Sequence, residues 1–279
     1  MFLQLTKSLL RIVIVVVMLL LAYLFFFQSR MIYFPRHTSE ATVSAFLQSG
    51  GKRVEYETTH GRETAWLLPA AGQRVPERLW IVCAGNASEA LSLADLQDYS
   101  GLSQDAFLFV DYPGYGVSPG TPNPPAIQEN IRQAVPVAAR ATGFPMAEIG
   151  TRGIVFGHSL GAAAALLGVE EFHLRRAVLL APFTSAMEMT SIVVRAPLGW
   201  LVRHRYDNRA RLTGLQKRGG HVWIFHGSDD EAIPAIMGRT LARELGSTAT
   251  YMEVAGGTHN DLLEKAPKEI QQAMRDARN

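Results

Sequence analysis

The sequence predicts an α/β domain, a mostly parallel sheet covered by helices on both faces, carried behind an amino-terminal apolar helix. Three observations predict it. Six short apolar runs recur along the chain: Leu79–Cys83, Ala106–Val110, Ile154–Phe156, Ala177–Leu180, Val222–Phe225 and Thr250–Val254. Segments with helical apolar spacing lie between or after them, at Leu91–Tyr99, Ala126–Ala141, Leu160–Glu171, Ala235–Leu245 and Asp261–Ala277. The chain also has 279 residues, 48% of them apolar, which is enough for one large core. Uninterrupted apolar runs mark strands buried on both faces, and the helices between them supply the cover.

Taken in order, the first element is the least ordinary. Ile12 to Phe27 is unbroken apolar sequence, extended upstream by Leu9 and Leu10 with Arg11 intervening. As a helix, Leu9 to Phe27 would span about 28 Å, close to the thickness of a bilayer core. A cleaved signal peptide calls for a shorter apolar core followed by a small-x-small site. Here the run ends in Phe25-Phe26-Phe27 and passes into Gln28-Ser29-Arg30. Residues 1–30 therefore read as a short tail and an uncleaved single-pass membrane anchor, with the bilayer as partner. Lys7 and Arg11 precede the span, while Arg30 and Arg36 follow it. The positive-inside rule tips only slightly toward a cytoplasmic tail, so the side of the membrane stays open.

Residues 31–50, beginning Met31-Ile32-Tyr33-Phe34-Pro35, read as a linker, and 51–279 as the folded domain. Lys52–Tyr56 and Thr64–Leu68 read as paired strands joined through Thr59-His60-Gly61-Arg62. Residues 181–221 break the strand–helix rhythm and are too long for a plain loop. They read as an inserted helical cap, with Met187, Met189 and Trp200 among its apolar side chains. Parallel sheets bind ligands at the carboxyl ends of their strands, where such an insertion would roof a site.

Composition excludes several classes. A formal net charge of +2 without a dense basic patch does not suit nucleic acid. One cysteine, Cys83, rules out an internal disulfide framework and a Cys-rich zinc cluster. No P-loop, dinucleotide fingerprint or HExxH occurs, so neither metal nor organic cofactor is implied.

The chemistry-bearing signal is Gly157-His158-Ser159-Leu160-Gly161, directly after Ile154-Val155-Phe156 and before an alanine- and leucine-rich helix former. It fits the G-x-S-x-G elbow, which lifts a serine hydroxyl to the end of a sheet. Two later loops complete the pattern. Val222–Phe225 runs into His226-Gly227-Ser228-Asp229-Asp230-Glu231, and Thr250–Val254 runs into Ala255-Gly256-Gly257-Thr258-His259. Ser159, Asp230 and His259 thus fall in the order Ser, Asp, His, each just past a strand. At those edges of a parallel sheet they can converge despite their separation in sequence. Serine needs a base to become a nucleophile, imidazole titrates near neutrality, and a carboxylate fixes the imidazole tautomer. Oxyanion donors are expected from the backbone N–H of Leu160 and from the loop Gly85-Asn86-Ala87-Ser88.

These motifs together resemble the α/β-hydrolase-fold serine hydrolases, and within them the membrane-anchored Bem46-like group. The matching segments are Tyr33-Phe34-Pro35 behind the anchor, Asp111-Tyr112-Pro113-Gly114-Tyr115-Gly116-Val117-Ser118, Gly157–Gly161, His226–Asp230 and Gly256–His259. The resemblance implies the α/β-hydrolase fold. It selects Asp230 over Asp229 as the acid, Asn86 as the second oxyanion donor with Ala87 as alternative, and a structural role for Asp111. One departure is Ala84, where the group carries a histidine before Gly-Asn. The ordered Ser159, Asp230 and His259 with the apolar insertion point to hydrolysis of acyl esters or thioesters through an acyl-serine intermediate, on a small-molecule or lipid-like substrate. Peptide or amide hydrolysis, with Glu188, Arg195, Arg203 and Arg205 as anchoring charges, is one alternative. A catalytically silent, membrane-tethered binding protein is the other.

Overall fold

The computed structural model describes residues 2–279. Its eight strands are β1 (Lys52–Thr58), β2 (Gly61–Leu68), β3 (Leu79–Cys83), β4 (Ala106–Val110), β5 (Gly153–His158), β6 (Arg176–Leu180), β7 (His221–Gly227) and β8 (Ala249–Val254). They form one sheet in the order β1-β2-β4-β3-β5-β6-β7-β8. β1 and β2 pair antiparallel, as do β2 and β4, and every other pairing is parallel. This is the α/β-hydrolase fold expected from the sequence. The strand order reverses at β3, which lies between β4 and β5. That switch point opens a crevice at the carboxyl ends of β3 and β5.

The two faces are covered separately. Helices Pro124–Thr142, Leu160–Glu171, Asn208–Lys217 and Ala235–Leu245 carry Ile131, Leu166, Leu212 and Leu241 into one core. On the other face, Trp66, Trp80, Phe107 and Phe156 pack with Ile270 and Met274 of helix Pro267–Asp276. Strands β3 and β4 are buried at every position, as their continuous apolar runs require.

Several boundaries differ from those read in the sequence. The expected linker 31–50 carries a nine-residue helix, Glu40–Gln48, capped by Ser39 and burying Val43 and Phe46. The segment read as helix Leu91–Tyr99 is a 3₁₀ turn, Ala90–Leu93, followed by the short helix Leu96–Ser100. The last helix is split into Leu262–Lys265 and Pro267–Asp276. Pro267 has no N–H to donate and bars the preceding residue from the helical region; Ala266 accordingly sits at φ −130°. Within 181–221, only the first part, with helix Ala186–Val194 and the turn Gly199–Leu201, stands over the sheet edge. Asn208–Lys217 is an ordinary sheet-covering helix, with Leu212 and Leu215 buried.

The apolar amino terminus is a helix, Phe2–Phe26. Its Thr6–Phe26 stretch is long and apolar enough to cross a membrane, and no residue in it is buried in the protein. A short helix, Gln28–Ile32, follows and meets the cap.

A buried carboxyl gives the fold a pH signature. Glu63 on β2 is fully enclosed, accepting hydrogen bonds from Thr58 Oγ1 at 2.9 Å and from the Asn130 amide. Burial pushes its pKa up from 4.5 to about 7, against the opposing Thr58 bond and with a small push from Glu129. Between those values the folded state holds a proton that the unfolded chain has released, so stability falls as pH rises through that window. The loss should reach roughly 3 kcal/mol by the upper end. Glu63→Gln is neutral throughout and is expected to remove this slope. Urea unfolding at several pH values checks it: the stability difference between wild type and variant should change across pH 4.5 to about 7. A pH-independent difference would contradict the assignment.

Candidate active site

Ser159 sits between β5 and the helix Leu160–Glu171 with φ 57° and ψ −121°, a conformation that is strained for any residue with a side chain. Its N–H donates to Leu180 O at 2.9 Å, and its carbonyl accepts from Ala162 N at 3.0 Å. The flanking glycines make the turn possible. A Cβ on Gly157 would meet the backbone of Gly161 and Ala162, and one on Gly161 would meet the carbonyls of Cys83 and Ala84. Because those neighbours are main chain, they cannot swing aside. Gly161→Ala is therefore expected to cost about 3 kcal/mol or more. A shifted urea midpoint reports this, and an unchanged midpoint would contradict the packing described.

The structure brings Ser159, His259 and Asp230 together. His259 Nδ1 lies 2.8 Å from Asp230 Oδ2, and His259 Nε2 lies 2.8 Å from Ser159 Oγ. A carboxylate only accepts, so the Nδ1 proton must donate to Asp230. The neutral ring then leaves Nε2 free to accept from the Ser159 hydroxyl. Asp230 Oδ1 accepts from the N–H groups of Ala232 and Ile233, at 2.9 and 2.8 Å. Burial alone would raise its pKa. The bonds from His226, His259 and Ile233 outweigh that and hold the carboxyl well below the usual carboxylate range. Asp229, the neighbouring alternative, is exposed and accepts from Ser228 Oγ at 2.8 Å.

Two further histidines frame the three. His158 Nε2 lies 2.8 Å from the carbonyl of His259 and must donate to it, which steadies the loop that carries the ring. Burial, helped by the nearby His259, pushes His158 down to about 4, so it is neutral at physiological pH. His226 is fully buried, with Nε2 2.8 Å from Ile233 O and 3.4 Å from Asp230 Oδ2.

Leu160 and Asn86 both line the space above Ser159. Neither backbone N–H has a hydrogen-bond partner among the described residues, which leaves two donors for an anion there. The Asn86 side chain has a role that sequence reasoning missed. Its Oδ1 accepts from Phe34 N at 3.0 Å and from Tyr115 Oη at 2.7 Å, and its Nδ2 donates to Ile32 O at 2.6 Å. It thereby ties the Ile32-Tyr33-Phe34 segment to the loop after β3. Tyr112 Oη donates to Ala84 O at 2.5 Å, holding the loop where the resembling group has histidine. Asp111 is buried and accepts from Trp66 Nε1 and Ala90 N at 2.9 and 2.7 Å, bonding to none of the site histidines. Cys83 is buried beneath the loop, and burial pushes its thiol up to about 12.

The site opens into a cavity of about 620 Å³, within the range of small-molecule pockets. Its walls are largely apolar: Met189, Val193 and Val194 from the cap helix, Leu198, Leu201 and Val202 from the cap loop, and Met31 and Ile32 from behind the anchor. No Asp, Glu, Lys or Arg lines it among the described residues.

A family model described as the alpha/beta hydrolase family matches residues 67–219, more than half of the chain, including the elbow. An uncharacterized protein of Mycobacterium tuberculosis is 31% identical over 238 residues, covering 84% of this chain and 81% of that protein. Among solved structures, an alpha-beta hydrolase from Vibrio vulnificus superposes with a TM-score of 0.64 at 19% identity, covering 85% of this chain and 88% of its own. An esterase from Pyrococcus furiosus does so with a TM-score of 0.63 at 13% identity, covering 88% and 98%. At those identities the superpositions speak for the fold. With the elbow, the switch-point crevice and the family match agreeing, the chain belongs to the alpha/beta hydrolase family.

Proposed function

We propose that the protein is a serine hydrolase that cleaves acyl esters or thioesters, and that the helix Thr6–Phe26 holds it at a membrane as in the Bem46-like group it resembles. The observation that carries the reading is the chain of two 2.8 Å contacts from Ser159 through His259 to Asp230, set in a strained elbow at the floor of an apolar cavity. Strain at one serine that faces a cavity is a feature that active sites retain for function.

The steps follow from the geometry. His259 Nε2 takes the Ser159 proton as Oγ attacks the acyl carbonyl carbon. The resulting imidazolium is stabilised by Asp230, whose depressed pKa keeps it ionised throughout. The oxyanion accepts from the N–H groups of Leu160 and Asn86. Collapse breaks the ester C–O or thioester C–S bond as His259 returns its proton to the leaving group. Water, activated by the same imidazole, then releases the acid and restores the Ser159 hydroxyl.

The cavity favours esters over peptides. An aminopeptidase needs a buried charge for a chain terminus, yet Glu188 is spent on Arg209 at 2.5 Å and on Thr184. Arg195, Arg203 and Arg205 are exposed and do not line the cavity. A silent binding protein has no need for a hydroxyl poised against an imidazole. Labelling with a fluorophosphonate, run beside panels of p-nitrophenyl esters, thioesters and peptide anilides, tests the reading. Ser159-dependent labelling with turnover of esters or thioesters is expected. Turnover confined to peptides, or an absence of labelling, would overturn it.

A further inference from the structure

The cavity above Ser159 has the chain's own apolar helix in its wall. Leu24, in the last turn of the membrane-length stretch Thr6–Phe26, lines the same space as Ser159 and His259. Gln28, Met31 and Ile32 continue that wall. The contact is built with directed bonds. Gln28 Nε2 donates to Leu201 O at 2.6 Å while its Oε1 accepts from Arg203 N at 2.7 Å, clamping the helix end to the cap loop. Tyr33 Oη lies 2.9 Å from Tyr206 Oη and 3.2 Å from His204 Nδ1, behind the same seam. The end of the span and the mouth of the cavity are therefore one structural unit.

The outer surface of that unit is apolar and basic. Ile192, Val193, Val194 and Trp200 of the cap are exposed, Trp200 by 60%, and Phe25 and Phe26 of the helix end are exposed with them. Four exposed arginines accompany them: Arg30, Arg195, Arg203 and Arg205. None has a carboxylate partner among the described residues. Arg203 lies over the Phe25 ring at 4.9 Å, and Arg30 over Phe27 at 5.8 Å. Apolar side chains continuous with a membrane-length helix, flanked by unpaired arginines, match the headgroup level of a leaflet containing anionic lipid.

We propose that the cavity takes its substrate sideways from that leaflet, and that the substrate is an ester-linked membrane lipid whose acyl chain enters between Leu24 and the cap helix. The inference rests on Ser159 acting as the nucleophile. The acyl carbon bonds to Ser159 Oγ as the ester C–O bond breaks, the lipid alcohol leaves with the proton from His259, and water then frees the fatty acid. The rim arginines face the lipid phosphates outside the cavity.

The test uses the full chain in phosphatidylcholine vesicles doped with phosphatidylglycerol. Two substrates share one leaving group: p-nitrophenyl palmitate dissolved in the bilayer, and p-nitrophenyl acetate in the water. Ile192→Asp combined with Trp200→Asp alters the outer face and replaces no cavity-lining residue. It should lower palmitate turnover by at least about tenfold and leave acetate turnover within about twofold. As an independent arm, Arg30→Glu with Arg203→Glu should abolish the gain in palmitate rate that phosphatidylglycerol gives the wild type. Palmitate rates unchanged in both variants, or the two substrates falling together in both, would overturn lateral entry. Acetate turnover that persists in Ser159→Ala would instead remove the nucleophile assignment beneath it.

Discussion

Replacing Ser159 with alanine is expected to lower ester turnover by roughly 10⁴ to 10⁶-fold, the cost seen when a hydrolase loses a nucleophile that acts as one unit with its base. The side chain is small and 8% exposed, and its hydroxyl has a single partner among the described residues, His259 Nε2. Alanine at this position keeps the same Cβ and the same strained φ of 57°. Stability should move little, and substrate affinity should survive because the cavity walls are untouched. The loss should therefore fall on kcat, measured with a p-nitrophenyl ester beside a circular dichroism spectrum. A variant that retained more than about a tenth of the wild-type rate would exclude Ser159 as the nucleophile.

Asp230→Asn is expected to cost about 10⁴-fold at neutral pH, for a reason specific to its bonding. One carboxylate oxygen is claimed by the N–H groups of Ala232 and Ile233, and the other by His259 Nδ1. Asparagine keeps one acceptor, which the two backbone donors hold. Its amide then points N–H groups at His259 Nδ1, which must become the acceptor. The ring proton moves to Nε2, facing the Ser159 hydroxyl, and the base is lost. Stability should shift as well. The folded pKa of Asp230 is depressed, so its contribution is present above the unfolded value and is lost as pH falls through the folded one. At neutral pH the variant forfeits that contribution in full. Asp229→Asn is the matched control, since the Asp229 side chain is exposed and bonds only to Ser228 among the described residues, and its rate should stay within about twofold. Equal losses in the two variants would contradict the assignment.

What the sequence made legible was whatever depends on local pattern. β3 and β4 could be placed to the residue because strands buried on both faces of a sheet must be apolar at every position. The elbow was readable because Gly157 and Gly161 answer to backbone clashes that no other residue avoids. Helix Glu40–Gln48 was hidden inside the expected linker because it buries only Val43 and Phe46, too few for a periodic signal. The break at Pro267 carried a local signal in its missing N–H, and the apolar spacing on either side masked it.

The remainder is contact across long separations. Nothing near Asn86 announces that its side chain holds Ile32 and Phe34, more than fifty residues earlier. Gln28 reads as the polar end of an apolar run, yet it bonds to Leu201 and Arg203. Among the described residues, the absence of charged side chains from the cavity walls follows from which cap residues turn inward, and Arg195, Arg203 and Arg205 do not. Those contacts put the helix end within one cavity of the serine.

The most direct test of Ser159 as nucleophile is a mass spectrum of the protein after rapid acid quench of its first turnover with p-nitrophenyl butyrate. One butyryl group per chain, on the peptide that carries Ser159 and absent from Ser159→Ala, is the result expected. Turnover without an adduct, or an adduct on another residue that persists in Ser159→Ala, would contradict it.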